Sequence, residues 1–177
     1  MIVKFFAKSG KGGSSGVLDY MLGKDRDRED AKVIRGDADI SAALIDQSLF
    51  ERKYTSGCLS FEEEDIDQEI KDDLMETFEE TLMAGLEKNQ YNVLWIEHRD
   101  KGRLELNFVI PNVELTQGKR LQPFYSRADK PVVNTWKDMK NIEHGLSDPN
   151  DPIKKQMLTT PSDLPRGVKE AREQITS

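Results

Sequence analysis

The stretch Tyr91–Asn112, YNVLWIEHRDKGRLELNFVIPN, leaves the chain few ways to fold. Val93-Leu94-Trp95-Ile96 is dense in β-branched, aromatic and large apolar residues, and so, apart from Asn107, is Leu106-Asn107-Phe108-Val109-Ile110, as strands are. Between them Asp100-Lys101-Gly102-Arg103 supplies turn chemistry, with Gly102 able to take positive φ. A loop of two or four residues pairs His98 with Glu105 and Ile96 with Asn107. Side chains alternate along a strand, so His98, Glu105 and Asn107 then share one face, floored by Leu94, Ile96 and Val109. Directly paired Cβ atoms lie about 5 Å apart. The opposite face carries Val93, Trp95, Leu104, Leu106, Phe108 and Ile110, an apolar surface for helices. An odd-length turn would shift the pairing and break up the trio, because the side-chain period is two.

One imidazole, one carboxylate and one carboxamide on a rigid face suit a divalent metal with open positions, Mg²⁺ or Mn²⁺. A structural zinc site usually wants four ligands, mostly Cys and His, and the chain has one Cys and two His. On spacing alone, a strand-end histidine and two solvent-facing polar residues account for the same pattern equally well.

The remaining 155 residues build around this hairpin. Ile2–Lys8 reads as a first strand, followed by the Gly/Ser stretch Ser9–Ser15. The GKGG it contains lacks the spacing of a P-loop; it reads as a turn or as a backbone cradle for phosphate. Ser14 or Ser15 caps a short helix, Gly16–Leu22, which ends at Gly23; Val17, Leu18 and Met21 form its apolar side and Tyr20 sits in its middle. Lys24–Asp30 is a charged loop, Ala31–Arg35 a short strand, and Ile40–Phe50 a helix with Ile40, Ala43, Leu44 and Phe50 inward. Tyr54–Phe61 is another strand. In the acidic helix after it, Ile66, Ile70, Leu74, Phe78, Leu82 and Leu86 form an inward stripe while Asp and Glu fill the outer face. One more strand is expected around Thr116-Gln117-Gly118, and a helix from Pro131 to Met139. Lys119–Tyr125 mixes cations with aromatics, which suits either contact with single-stranded nucleic acid or a solvated strand edge.

This order predicts an α+β fold: a central antiparallel sheet of about five strands with helices packed on one face. Residues 1–165 form the domain. From Leu146 the sequence thins into Pro- and Asp-rich loop. Residues 166–177 restart a helical pattern, which predicts a further helix or a linker to a C-terminal region.

No run of about 18 apolar residues exists, so no membrane span is expected. The N-terminus lacks the features of a signal peptide, and the single Cys58 cannot form an internal disulfide, which fits a reducing cytoplasm. Cys58 sits in a strand-like setting that argues against a catalytic thiol. The net charge of −7 is uneven: residues 62–88 hold twelve acidic and two basic side chains, and the other 150 residues carry a net +3. One helix thus holds the acidity, and a basic surface elsewhere remains open.

A metal site on a central hairpin and a tyrosine on the helix after strand one together suggest phosphodiester chemistry. The hairpin, with its His98-x6-Glu105-x-Asn107 spacing, resembles the metal motif of the mobilization relaxases of small colicinogenic plasmids, the MobA/MbeA-like group of the HUH superfamily. MIVKF, GKGG, DYMLG around Tyr20, YTSG-x-LSF at 54–61, GLEKNQY at 85–91 and GKRLQPFY at 118–125 extend the resemblance from Met1 to about Leu164. It implies a relaxase that nicks one strand of transfer-origin DNA, with Tyr20 as nucleophile and His98, Glu105 and Asn107 as ligands of Mg²⁺ or Mn²⁺. The product carries a 5′-phosphotyrosyl link and a free 3′-OH, and the ends are later rejoined. Most such enzymes use three histidines; this chain matches the His-Glu-Asn variant. The resemblance also implies single-stranded origin DNA, accessory relaxosome proteins and a coupling protein as partners. Candidate phosphate contacts are Lys8, Lys11, Lys101, Arg103, Lys119 and Arg120. The alternatives are a replication initiator or transposase of the same superfamily, or a non-catalytic single-strand-binding module. The tyrosine precedes the metal motif here, as in relaxases.

Overall fold

The hairpin forms in the register expected of a two-residue loop. In the computed structural model, which describes residues 1–6, 10–100 and 102–154, β4 (Leu94–Asp100) pairs antiparallel with β5 (Arg103–Pro111), and His98 faces Glu105 while Ile96 faces Asn107. Gly102 closes the turn at φ +70°, a conformation that few other residues adopt without strain. Around this pair the other strands complete one antiparallel sheet of five. β3 (Tyr54–Ser60) lies against β5, β1 (Ile2–Phe5) against β3, and β2 (Ala31–Arg35) against β4, giving the order β1-β3-β5-β4-β2. Residues 113–121 are a turn rather than a strand, with a single bridge between Val113 and Arg120. The Glu114 carboxylate accepts from the Thr116 and Gln117 amides and holds that turn shut.

Helices cover both faces of the sheet, not one. α3 (Gln68–Leu82) and α4 (Ser126–His144) bring Leu74, Met75, Phe78, Val133 and Trp136 onto the Trp95, Leu104, Leu106, Phe108 and Ile110 face. α1 (Ser14–Leu22) and α2 (Ala38–Asp46) bring Val17, Leu18, Met21, Leu22 and Ile45 onto Leu94, Ile96 and Val109. The second cover is needed because the far end of the hairpin is apolar on both faces, and leaving that surface in water costs about 25 cal/mol per Å². Tight packing extends to the sheet itself. A Cβ on Gly57 would lie 2.1 Å from the Lys4 carbonyl oxygen and 2.5 Å from the Phe108 ring, so only glycine lets β1 and Phe108 close on β3.

The helix boundaries depart from expectation for local reasons. The Asp37 side chain accepts from the Asp39 and Ile40 amides, so α2 starts earlier and ends at Asp46. The shifted phase buries Ser41 and Ile45 and leaves Ile40 exposed, as it does Ala43, with Phe50 beyond the helix. α1 is capped from outside: Gly13 is its N-cap, and the Asp46 carboxylate accepts from both the amide and the hydroxyl of Ser14. α4 begins at Ser126, a turn before Pro131, with the Asp129 carboxylate accepting from the Tyr125 amide. Val132 consequently faces outward. Residues 155–177, where the further helix was expected, lie outside the described residues.

The acidic helix also buries charge. Lys71 is 3% exposed and pairs with Glu97 on β4 at 2.8 Å and with Asp65 at 2.7 Å. Arg99 bonds the same two carboxylates. Burial alone would push Lys71 down, but its hydrogen bonds to Asp65 and Glu97 together raise it. The hydrogen bond from Lys71 is the main reason that Asp65 falls to about 2. A carboxylate whose folded pKa is depressed contributes stability above its unfolded value, and that contribution is lost as pH falls through about 2. Lys71→Met therefore destabilises the fold by about 3 kcal/mol, because Glu97 keeps its burial and loses one cation. It also flattens the loss of stability between pH 4 and 2, which thermal melts across that range would read.

Candidate active site on the hairpin face

Pairing across the sheet orders this face into rows. One row runs Ile2, Ser60, Glu105, His98 and Ala31; the next runs Lys4, Cys58, Asn107, Ile96 and Val33. His98, Glu105 and Asn107 are thus brought together as the alternation predicts. His98 and Asn107 are buried, and Glu105 is half-exposed with the Ser60 hydroxyl donating to it at 3.3 Å.

α1 closes over His98. Its Nε2 lies 2.6 Å from the Met21 carbonyl oxygen. That contact makes Nε2 the protonated nitrogen and leaves the Nδ1 lone pair for a ligand, the way a backbone carbonyl commonly orients a metal-binding imidazole. Burial pushes the His98 imidazole below its usual range, and the nearby Arg28 charge adds to this; the Met21 contact and Glu105 oppose it. The ring is therefore neutral at pH 7, the form that binds metal.

Asn107 supplies the sharpest local anomaly. It is 2% exposed, and its amide nitrogen has no hydrogen-bond partner. A buried amide N–H left in this way costs about 1–3 kcal/mol and answers to an acceptor such as a phosphate oxygen, while the amide oxygen is the atom of Asn107 that can face a cation. With a neutral imidazole and a carboxylate beside it, the set of one nitrogen and two oxygen donors fits a hard divalent cation.

Tyr20 sits on the outer side of α1, one residue before the carbonyl that holds His98, and is 67% exposed. Its ring is therefore not packed in the core. Tyr54 and Tyr91 are buried, and burial with the neighbouring Glu79 pushes the Tyr91 phenol to about 12. Tyr125 is exposed at the start of α4.

Two cations that the sequence did not single out flank the trio. The loop after α1 folds back so that Arg28 donates to the Tyr20 carbonyl at 2.9 Å and lies close enough to influence His98. Lys4, exposed on β1, shares a row with Asn107. Neither has an ion-pair partner among the described residues. Arg28 was hidden in a run of mixed charge; Lys4 showed only as a polar residue inside an apolar strand. Of the expected phosphate contacts, Arg103, Lys119 and Arg120 are exposed. Lys11 is paired with Glu51 at 2.5 Å. Lys8 and Lys101 lie outside the described residues.

Two other chemical groups are accounted for by packing and pairing. Cys58 is buried and its thiol is pushed up to about 12, chiefly by desolvation. The native protein should therefore resist iodoacetamide at pH 8 and react only on unfolding, which mass spectrometry would read. Asp73, Glu143 and His144 cluster between α3 and α4, away from the hairpin site. His144 contacts Asp73 at 2.7 Å, and Lys140 bridges Asp73 and Glu143, so both carboxylates already have a partner.

Comparison with known proteins adds an independent line. Residues 27–146 match the family described as "Relaxase: MobA/VirD2-like, nuclease domain". The chain is 60% identical over 176 residues to cryptic plasmid protein C of Neisseria gonorrhoeae, covering 99% of this chain and 85% of that protein. It is 52% identical over 176 residues to DNA relaxase MbeA of Escherichia coli, again covering 99% of this chain but 34% of that longer protein. No solved structure matches.

Proposed function

The chain belongs to the MobA/VirD2-like relaxases as a nuclease domain, and on that premise we propose that it nicks plasmid transfer-origin DNA through Tyr20. The carrying observation is the contact between the Met21 carbonyl and His98, which fixes the helix bearing Tyr20 to the face that presents His98, Glu105 and Asn107.

In this reading the phenolic oxygen of Tyr20 attacks the scissile phosphorus. The bond from phosphorus to the 3′ oxygen breaks, the phenol proton passes to solvent, and the departing oxygen takes up a proton as a free 3′-OH. The 5′ end stays on Tyr20 as a phosphodiester, so no nucleoside triphosphate is needed, and attack by a 3′-OH reverses the step. His98, Glu105 and Asn107 would hold Mg²⁺ or Mn²⁺, which when bound supplies polarisation of the phosphate. Arg28 and Lys4 are positioned to balance phosphate charge beside them.

The test is cleavage of single-stranded DNA spanning the transfer origin of the parent plasmid, resolved on a denaturing gel. A covalent adduct that forms with Mg²⁺ or Mn²⁺ and disappears with EDTA is expected. Tight binding with no adduct under any metal would replace the enzyme with a binding module.

A further inference from the structure

A second concavity lies at the other end of β3, where β1 has stopped at Phe5 and the chain approaches α4. It encloses about 370 Å³. Phe6, Tyr54, Phe124 and Tyr125 supply aromatic surface, and Arg52 and Arg120 supply positive charge. The cation-aromatic stretch 119–125 is thus folded into a cleft wall rather than a strand edge. Phe124 is stacked on Phe5 with ring centroids 3.6 Å apart and planes 4° apart, and Phe5 in turn packs on Phe78 and Phe108. The wall is therefore anchored in the core. Tyr125 is 52% exposed, and Arg120 has no ion-pair partner among the described residues.

The cleft is connected to the hairpin site by geometry. On one face of β3, Tyr54, Ser56, Cys58 and Ser60 alternate in line, and Cys58 and Ser60 pair with Asn107 and Glu105. From Tyr54 to Ser60 the strand spans about 20 Å. Tyr54, Ser56 and Cys58 are themselves buried, so a single strand joining the two sites passes over their cover, and a straight path of about 20 Å holds about six nucleotides at duplex spacing.

We propose that this cleft is a nucleobase pocket. It takes one base of the single-stranded substrate against the Phe124–Tyr125 wall, with a neighbouring phosphate on Arg120, within about six nucleotides of the scissile phosphate. Aromatic faces accept any base, and a guanidinium beside them neutralises the backbone, the combination that single-strand binders use. Gln122 at the rim offers an amide to a base edge. The proposal rests on the relaxase reading of the hairpin site.

Binding is measured by fluorescence anisotropy with the origin oligonucleotide in EDTA, so that cleavage does not intervene. Tyr125→Ala should weaken binding about tenfold and Tyr125→Phe should restore it, since stacking needs the ring and not the hydroxyl. In the wild type, an abasic nucleotide at one position near the nick should cost a similar factor. At that position alone, Tyr125→Ala should add no further loss, because the two changes remove one contact. If the two losses multiply at every position while wild type binds and cleaves the oligonucleotide, the cleft holds no base and only this assignment falls. If wild type neither binds nor cleaves it, the relaxase reading falls first and takes the pocket with it.

Discussion

Tyr20→Phe abolishes the covalent adduct on origin DNA, by about 10⁴-fold or more, and leaves single-strand affinity within about twofold. The size follows from chemistry: the substitution removes one oxygen, the atom proposed to attack. The selectivity follows from position. Tyr20 is exposed on the outer side of α1, whose packing rests on Val17, Leu18, Met21 and Leu22. The fold should therefore melt as before, and a melt alongside the gel assay controls for this. An adduct that survived the change would move the nucleophile to Tyr125, because Tyr54 and Tyr91 are buried.

Asn107→Leu separates stability from activity. Leucine fills a similar volume at a buried position and removes the amide nitrogen that has no partner. The melting temperature should rise by about 3 °C, corresponding to about 1 kcal/mol. Adduct formation should fall about a hundredfold or more, since the variant lacks one proposed ligand of the cation that would polarise the phosphate. Mn²⁺ should raise the melting temperature of the wild type and fail to do so in the variant. A destabilised variant that still responds to Mn²⁺ would make Asn107 a structural amide and not a ligand.

The hairpin was legible because two simple rules apply to it without competition. The turn residues marked where the chain reverses, and once the loop is even, as the structure has it, alternation puts His98, Glu105 and Asn107 on one side. The strands at 31–35 and 54–60 were legible for the same reason: their apolar content is local. What the sequence hid depends on contacts across the chain. Nothing near Ser14 says that Asp46 will cap its helix. Nothing near Lys71 says that it will be buried between Asp65 and Glu97. Glu79 looked like one more solvated acid, yet it accepts from the Trp95 indole at 2.7 Å within the core. The cover on the second face was missed because α1 is short and its apolar side is modest; only the apolar floor of the hairpin demanded it.

The acidic helix lies on the face of the sheet opposite His98, Glu105 and Asn107. The chain thus concentrates its negative charge in one place, since residues 62–88 carry a net −10 while the other 150 residues, spread over both sides, carry a net +3. In the field of a polyanion such a body turns before it touches. Encounters that bring the acidic helix toward DNA are the ones this charge opposes, which would turn the hairpin face toward a polyanion. That bias fades as salt shortens the screening length below the width of the domain.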